Sequence, residues 1–197
     1  MRHLAYKKTG KGFPIVLIHG YLGGPLMWHF QVEELQKHYE VITPCLAGYA
    51  ESSSLKAPTS INENAELVLE LLNHLKINNL YLLGHSMGGM IVQEIAAMNT
   101  KEVKKLICCG TGPIGTLPSR FETIEETRKK FLNLGLKSVR EEIAKTWFVD
   151  YETSKEYLIC LEEGKKATKQ AALASLNAWE KWDGRKQLSK INCPTLI

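Results

Sequence analysis

The sequence predicts an α/β protein with a mostly parallel sheet and helices on both faces of that sheet. Over roughly the first 110 residues, short aliphatic runs alternate with longer segments whose apolar residues recur at helical spacing. Strands that alternate with helices pair in parallel, because each helix returns the chain to the same end of the sheet. From Phe121 to about Trp182 the pattern is helical and charged, with no convincing strand.

Aliphatic runs and helical spacing locate the individual elements. The first helix is expected over Met27–Tyr39, and a second begins after Ser60, where Ser-Ile-Asn-Glu has the form of a capping box. A third helix is expected over Met87–Met98. The strands are expected at Ile15–Ile18, Tyr39–Thr43, Leu80–Leu83 and Lys105–Cys109, and a further strand begins at Pro194–Ile197.

The charged helical block divides the predicted sheet into two parts. We interpret residues 1–112 as the N-terminal part of the core, residues 113–186 as a helical cap, and residues 187–197 as the start of the next core strand. A cap over the carboxyl edge of the sheet is favoured, because α/β sheets bind their ligands at that edge. The alternative is a set of extra helices packed on one face of the sheet.

Composition and charge exclude several classes of protein. Apolar residues make up 44% and charged residues 23% of the 197 residues, which is ordinary for a soluble globular protein. The net charge of +4 is spread along the chain, so we expect no nucleic-acid partner. The start of the chain has no apolar signal region, and no run approaches the ~18 apolar residues of a membrane span. We therefore expect a cytoplasmic protein.

The five cysteines, at positions 45, 108, 109, 160 and 193, are odd in number and include no Cys-x-x-Cys pair. This argues against a disulfide framework and against a zinc site. Cys108 and Cys109 are neighbours in one predicted strand, so we expect them to pack on opposite faces of the sheet. We expect no metal and no organic cofactor, and nothing in the sequence indicates an oligomeric state.

The six residues GHSMGG, from Gly84 to Gly89, place Ser86 where a predicted strand gives way to a predicted helix. A serine hydroxyl is a poor nucleophile, and a sharp turn holds it clear of the backbone and near a base. Glycines two residues before and after the serine remove Cβ atoms that would clash. The pattern alone is weak, but its context predicts that Ser86 is a catalytic nucleophile and not an idle serine in a glycine-rich turn.

A second loop, HGYLGG from His19 to Gly24, follows the first predicted strand. Attack on a carbonyl carbon needs backbone donors for the oxyanion that develops. We expect the N–H groups of Met87 and Tyr21 to supply them, with Leu22 as the fallback for Tyr21. His19 is expected to brace this loop through hydrogen bonds, with general-base catalysis as the alternative, and His85 is expected to point away from the serine.

These motifs make the chain similar to the α/β-hydrolase fold family over nearly its whole length. The resemblance depends on LIHGYLGG, VITPCLAGYAESS, LLGHSMGGMIVQEIA and INCPTLI. It is nearest to small capped enzymes such as 3-oxoadipate enol-lactonases, meta-cleavage product hydrolases and carboxylesterases. Such relatives usually read Asp-x-x-Gly-x-Gly-x-Ser after the second strand. Here Cys45 replaces the aspartate and Ala50 replaces the second glycine, whereas Gly48 and Ser52 match.

The resemblance also implies an acid and a histidine that follow the serine in the chain. Their expected positions lie beyond Ile197, and none of the six histidines follows Ser86. Either the sequence is incomplete or it is a genuinely shortened chain that cannot run a catalytic triad. We expect the 197-residue chain alone to show little or no turnover and poor solubility.

The expected function is hydrolysis of a small carboxylic ester, lactone or related carbonyl compound through an acyl-enzyme on Ser86. The predicted cap would roof the pocket. Leu22, Trp147 and Phe148 are candidates to line it, although apolar residues at helical spacing are commonly core residues. No positively charged residue stands out as an anchor for a substrate carboxylate. Two alternatives are a non-catalytic small-molecule-binding protein of the same fold and a carbon–carbon bond hydrolase.

Overall fold

The computed structural model describes residues 3–98, 101–116 and 122–197, so Phe121, the expected start of the helical block, lies outside the described residues. Six strands form one sheet in the order β1-β3-β2-β4-β5-β6. The strands are β1 (Tyr6–Thr9), β2 (Phe13–Ile18), β3 (Tyr39–Pro44), β4 (Leu80–His85), β5 (Val103–Cys109) and β6 (Thr195–Leu196).

All neighbouring strands from β3 to β6 pair in parallel, which confirms the predicted sheet. Only β1 is antiparallel, with Tyr6 opposite Pro44. Sequence analysis missed this edge strand because all four of its residues are exposed, so it lacks the apolar pattern of a buried or half-buried strand.

The helices are α1 (His29–Leu35), α2 (Ile61–His74), α3 (Met87–Met98), α4 (Ile124–Lys145), α5 (Tyr157–Lys165) and α6 (Lys169–Glu180). Short 3-10 turns cover Pro25–Trp28, Ala50–Ser52, Tyr151–Thr153 and Arg185–Lys190. The predicted N-cap of α2 is confirmed, since Ser60 Oγ accepts the Glu63 N–H at 3.2 Å, but the Glu63 carboxylate accepts the Ser60 hydroxyl instead of the backbone N–H that a full capping box requires. Nowhere in the three described ranges is there a helix long and apolar enough to cross a membrane.

The prediction of one helix over Met27–Tyr39 is wrong at both ends. Pro25 begins a 3-10 turn that includes Met27 and Trp28, and α1 starts only at His29. At the other end, Tyr39 must lie opposite Phe13 in the parallel pair of β2 and β3. The helix therefore ends at Leu35, and a turn leads into β3.

Alternate residues of the central strands face two separate apolar layers. On one face, Val16 and Ile18 of β2 belong to the large cluster that includes buried residues of α2 and α3. On the other face, Ile15 and Leu17 pack with Trp28, next to α1. This alternation is the period of two expected for a strand covered on both sides.

Residues 124–180 contain α4, α5 and α6, joined by turns and without a strand, as expected, although α4 is interrupted at Gly135, whose φ is 76°. The two ends of this helical segment meet. Ile114 and Asp183 form an isolated antiparallel bridge, and the Gly115 N–H donates to the Trp182 carbonyl at 3.0 Å. The chain therefore leaves the core and returns to it at one place. The assignment of residues 113–186 as a cap remains a prediction.

His19, just after β2, is fully buried and braces the loop that follows. Its Nε2 accepts the Leu46 N–H at 3.1 Å, so the proton lies on Nδ1, which donates to the Gly20 carbonyl at 2.9 Å. The expectation of a bracing role is confirmed. Burial lowers the pKa of His19 from 6.5 to about 4, because desolvation disfavours the charged ring.

This lowered pKa makes the stability of the fold depend on pH. Between pH 6.5 and pH 4 the unfolded chain takes up a proton at His19 that the folded chain does not bind, so stability falls as the pH falls. We expect His19 to account for a loss of roughly 3 kcal/mol across this window. Urea unfolding of the protein at pH 7 and pH 4.5 measures the loss.

The matched variants are His19→Gln, which cannot titrate, and His38→Gln at an exposed position. His19→Gln should remove most of this pH dependence, and His38→Gln should retain it. An unchanged pH dependence in His19→Gln would contradict the assignment.

Candidate active site

Ser86 is the single residue between the end of β4 at His85 and the start of α3 at Met87. Its φ is 53°, a left-handed conformation that is strained for a residue with a side chain. Backbone hydrogen bonds hold it: the Ser86 N–H donates to the Cys109 carbonyl at 3.0 Å, and the N–H groups of Gly89 and Met90 donate to the Ser86 carbonyl at 2.8 and 3.3 Å. The side chain is half-buried. The predicted strand-turn-helix geometry is confirmed.

The glycines around Ser86 permit close contacts between backbones. A Cβ on Gly84 would collide with the Gly88 carbonyl, and a Cβ on Gly88 would collide with the Ile18 carbonyl. Gly20 lies directly against the serine, because a Cβ there would be 3.1 Å from the Ser86 Cβ. The role of Gly20 was not foreseen. Its contact with the serine arises between two separate segments, and only the register of β2 and β4 brings them together.

The two expected oxyanion donors lie on the two segments that meet at Gly20. Met87 begins α3, and Tyr21 directly follows Gly20; both are buried. The Tyr21 ring packs edge to face against Trp179 of α6, with ring centres 4.7 Å apart. The fallback, Leu22, has φ of 52° and a buried side chain. The choice of Tyr21 or Leu22 as the second donor remains a prediction.

The loop after β3 contains the two departures from the usual sequence, Cys45 and Ala50. Gly48 and Ala50 both have positive φ, 84° and 40°, so Ala50 adopts a conformation that favours glycine. The Cys45 thiol donates to Glu51 Oε2 at 3.1 Å. Burial, reinforced by Glu51, raises the pKa of Cys45 to about 12, so this thiol is protonated at neutral pH and is no nucleophile.

Glu163 of α5 is a buried carboxylate that sequence analysis missed. Its Oε2 accepts the Leu26 N–H at 2.9 Å, and its Oε1 pairs with Lys166 at 2.5 Å. Through the first bond, the helical segment holds the end of the loop that carries Tyr21. No sequence signal distinguishes Glu163 from its exposed neighbour Glu162, because both belong to one charged helical run.

Trp147 and Phe148 lie on an open cavity of about 240 Å³ whose lining also includes His85 and Cys109. The cavity borders the Ser86 turn, since His85 precedes the serine and the Cys109 carbonyl accepts the Ser86 N–H. Ser86 itself is not part of this lining.

Cys108 is buried and Cys109 is exposed, so the two side chains point to opposite faces of the sheet, as predicted. The packing role predicted for Cys109 is wrong, because an exposed side chain does not pack in the core.

In the parts of the chain that the structure describes, no side chain hydrogen-bonds to the Ser86 hydroxyl. Both ring nitrogens of His19 already form hydrogen bonds, Nδ1 with the Gly20 carbonyl and Nε2 with the Leu46 N–H. The His85 ring lies near Gly20 and Gly110, and its Nδ1 is enclosed without a hydrogen-bond partner among the described residues. Burial lowers the pKa of His85 below its usual 6.5. The same residues include no group of three or more His, Cys, Asp or Glu that could hold a metal ion.

Known proteins resemble the chain in both sequence and structure. It is 32% identical over 101 residues to (E)-2-((N-methylformamido)methylene)succinate hydrolase of Acinetobacter baylyi, and this alignment covers 51% of the chain but only 38% of that protein. It is 27% identical over 202 residues to a putative carbamate hydrolase of Azorhizobium caulinodans, covering 98% of the chain and 75% of the relative.

Among solved structures, the enol-lactonase of Burkholderia xenovorans superimposes with a TM-score of 0.87 at 24% identity, covering 98% of the chain and 75% of that structure. This likeness shows the shared fold. A family profile described as alpha/beta hydrolase fold matches residues 14–192, which is most of the sequence. The chain therefore belongs to the α/β-hydrolase fold family.

Proposed function

We propose that the protein is a serine hydrolase that acts on a small carboxylic ester, lactone or related carbonyl compound. The observation that carries this proposal is the strained, half-buried Ser86 between a central parallel strand and a helix N-terminus. A conformation of this kind persists only where the surrounding structure holds it, and such strain clusters at functional sites. The putative carbamate hydrolase among the similar proteins supports a carbonyl substrate.

In the proposed mechanism a general base, a histidine in the family pattern, takes the proton of the Ser86 hydroxyl while its oxygen attacks the carbonyl carbon, and the carbonyl oxygen becomes an oxyanion. The N–H groups of Met87 and Tyr21 would donate to it, each contributing about 3 kcal/mol by analogy with measured oxyanion donors. Collapse of this intermediate passes the proton from the base to the leaving alcohol and gives an acyl-enzyme; the same base then takes a proton from the attacking water and returns it to the serine oxygen as the acid is released. The start of α3 adds its positive dipole end to the stabilisation of the oxyanion.

A fluorophosphonate probe tests the nucleophile without requiring turnover. The probe phosphonylates a reactive serine, and in the full-length protein we expect an adduct at Ser86, located by peptide mass mapping. Ser86→Ala should reduce labelling at least about tenfold. Ser53→Ala, at an exposed serine of the loop after β3, is the control and should label normally. Absence of any Ser86 adduct would contradict the proposal and favour a non-catalytic ligand-binding protein.

Glu163 is expected to support this site through the loop that carries Tyr21. Glu163→Leu leaves the Leu26 N–H without its acceptor, which should lower the free energy of unfolding by roughly 1–3 kcal/mol. Displacement of the loop should also slow fluorophosphonate labelling of Ser86. Glu162→Leu, at the exposed neighbour, should change stability by less than about 0.5 kcal/mol.

Chemical denaturation and the labelling rate measure these two effects. Glu163→Gln, which retains an oxygen acceptor for the Leu26 N–H, should recover most of the labelling rate. Equal effects of Glu162→Leu and Glu163→Leu would show that the buried carboxylate does not position the loop.

A further inference from the structure

The cavity beside the Ser86 turn has walls of a definite chemical character. Its lining consists of three aromatic side chains, one methionine, two cysteines, Gln31 and His85. The aromatic walls come from two places in the chain: Trp28 precedes α1, and Trp147 and Phe148 follow α4. None of the side chains in this lining is an aspartate, glutamate, lysine or arginine.

The absence of charge from this lining decides which ligands the cavity can accept. An ionised carboxylate that enters the cavity loses its hydration, and no cation in the walls compensates for that loss of free energy. His85 does not supply one at neutral pH, because burial lowers its pKa. Moving an uncharged group out of water costs far less free energy than moving a charged one. The aromatic walls also favour a flat apolar ligand.

His85 provides the polar feature of the cavity. Its Nδ1 is enclosed next to Gly20, so the ring meets the cavity through its opposite edge, which carries Nε2 near Gly110. Trp28, which is 8% exposed, has an indole N–H with no hydrogen-bond partner among the described residues.

We infer that this cavity binds an uncharged, ring-sized organic group, and that this group is part of the substrate. The volume of about 240 Å³ exceeds the ~150 Å³ of an engineered protein cavity that holds benzene, so one substituted ring fits. The inference rests on the proposed function, and it names the substrate class as neutral esters or lactones in preference to carboxylate-bearing ones.

Two probes of nearly the same shape test the charge preference directly. Phenylacetamide is neutral and carries a carbonyl acceptor, whereas phenylacetate is an anion at pH 7. Trp28 and Trp147 line the cavity, so binding should change the tryptophan fluorescence, and calorimetry gives an independent dissociation constant. We expect phenylacetamide to bind at least about tenfold more tightly than phenylacetate. Trp147→Ala, at a half-buried position, should weaken phenylacetamide at least about tenfold by calorimetry.

A charge introduced into the wall provides the sharper test. Gln31 is exposed on α1, so Gln31→Arg should fold normally while it places a cation on the cavity. This variant should reverse the preference and raise phenylacetate affinity at least about tenfold. Gln36→Arg makes the same change on an exposed residue just after α1, outside the cavity lining, and should leave both affinities unchanged.

The possible results separate this inference from the proposed function. Ser86→Ala should reduce fluorophosphonate labelling at least about tenfold without reversing the preference for phenylacetamide over phenylacetate, because the serine is not part of the lining. Labelling of Ser86 together with equal affinity for both probes would overturn the inference and retain the hydrolase. Failure of phenylacetamide to bind saturably, or an equal response of Gln31→Arg and Gln36→Arg, would also overturn it.

Discussion

The structure depends on one strained backbone position, the left-handed conformation of Ser86. Central pairing holds it in place, because β4 is hydrogen-bonded to β2 on one side and to β5 on the other. The β5 side extends this pairing to the serine itself, through the bond from its N–H to the Cys109 carbonyl. The strained conformation of Ser86 therefore persists because the hydrogen bonds of three paired strands hold the backbone around it.

The same constraint explains the glycines. Gly84, Gly88 and Gly20 belong to three different elements, and each allows a second backbone or side chain to approach the turn closely. The loop that contains Gly20 is then fixed from two sides. His19 ties its start to the Leu46 N–H beneath it, and Glu163 ties its far end to α5 above it. The position of Tyr21 therefore depends on the sheet and on the helical segment together.

The helical segment contacts the core through specific polar bonds as well as apolar packing. The Gln170 side chain exchanges two hydrogen bonds with the backbone of Ala57, and the hydroxyl groups of Tyr49 and Ser175 lie 2.8 Å apart. Such bonds require defined geometry, so they set how the helices lie on the loops at the carboxyl edge. Trp147 and Phe148 reach the cavity from this segment, whereas His85 and Cys109 reach it from the sheet. Residues of the helical segment and residues of the sheet together form the cavity.

The sequence by itself determined the features that depend on neighbouring residues. The buried strands, the cap of α2 at Ser60 and the strand-to-helix turn at Ser86 are local patterns of burial and hydrogen bonding, so spacing alone reveals them. Only the tertiary structure decided the rest. The exposed edge strand β1, the early end of α1, the buried carboxylate of Glu163 and the exposure of Cys109 all follow from partners distant in the chain. A sequence pattern records how often a residue type recurs, but a contact between distant segments exists only once the sheet has fixed their register.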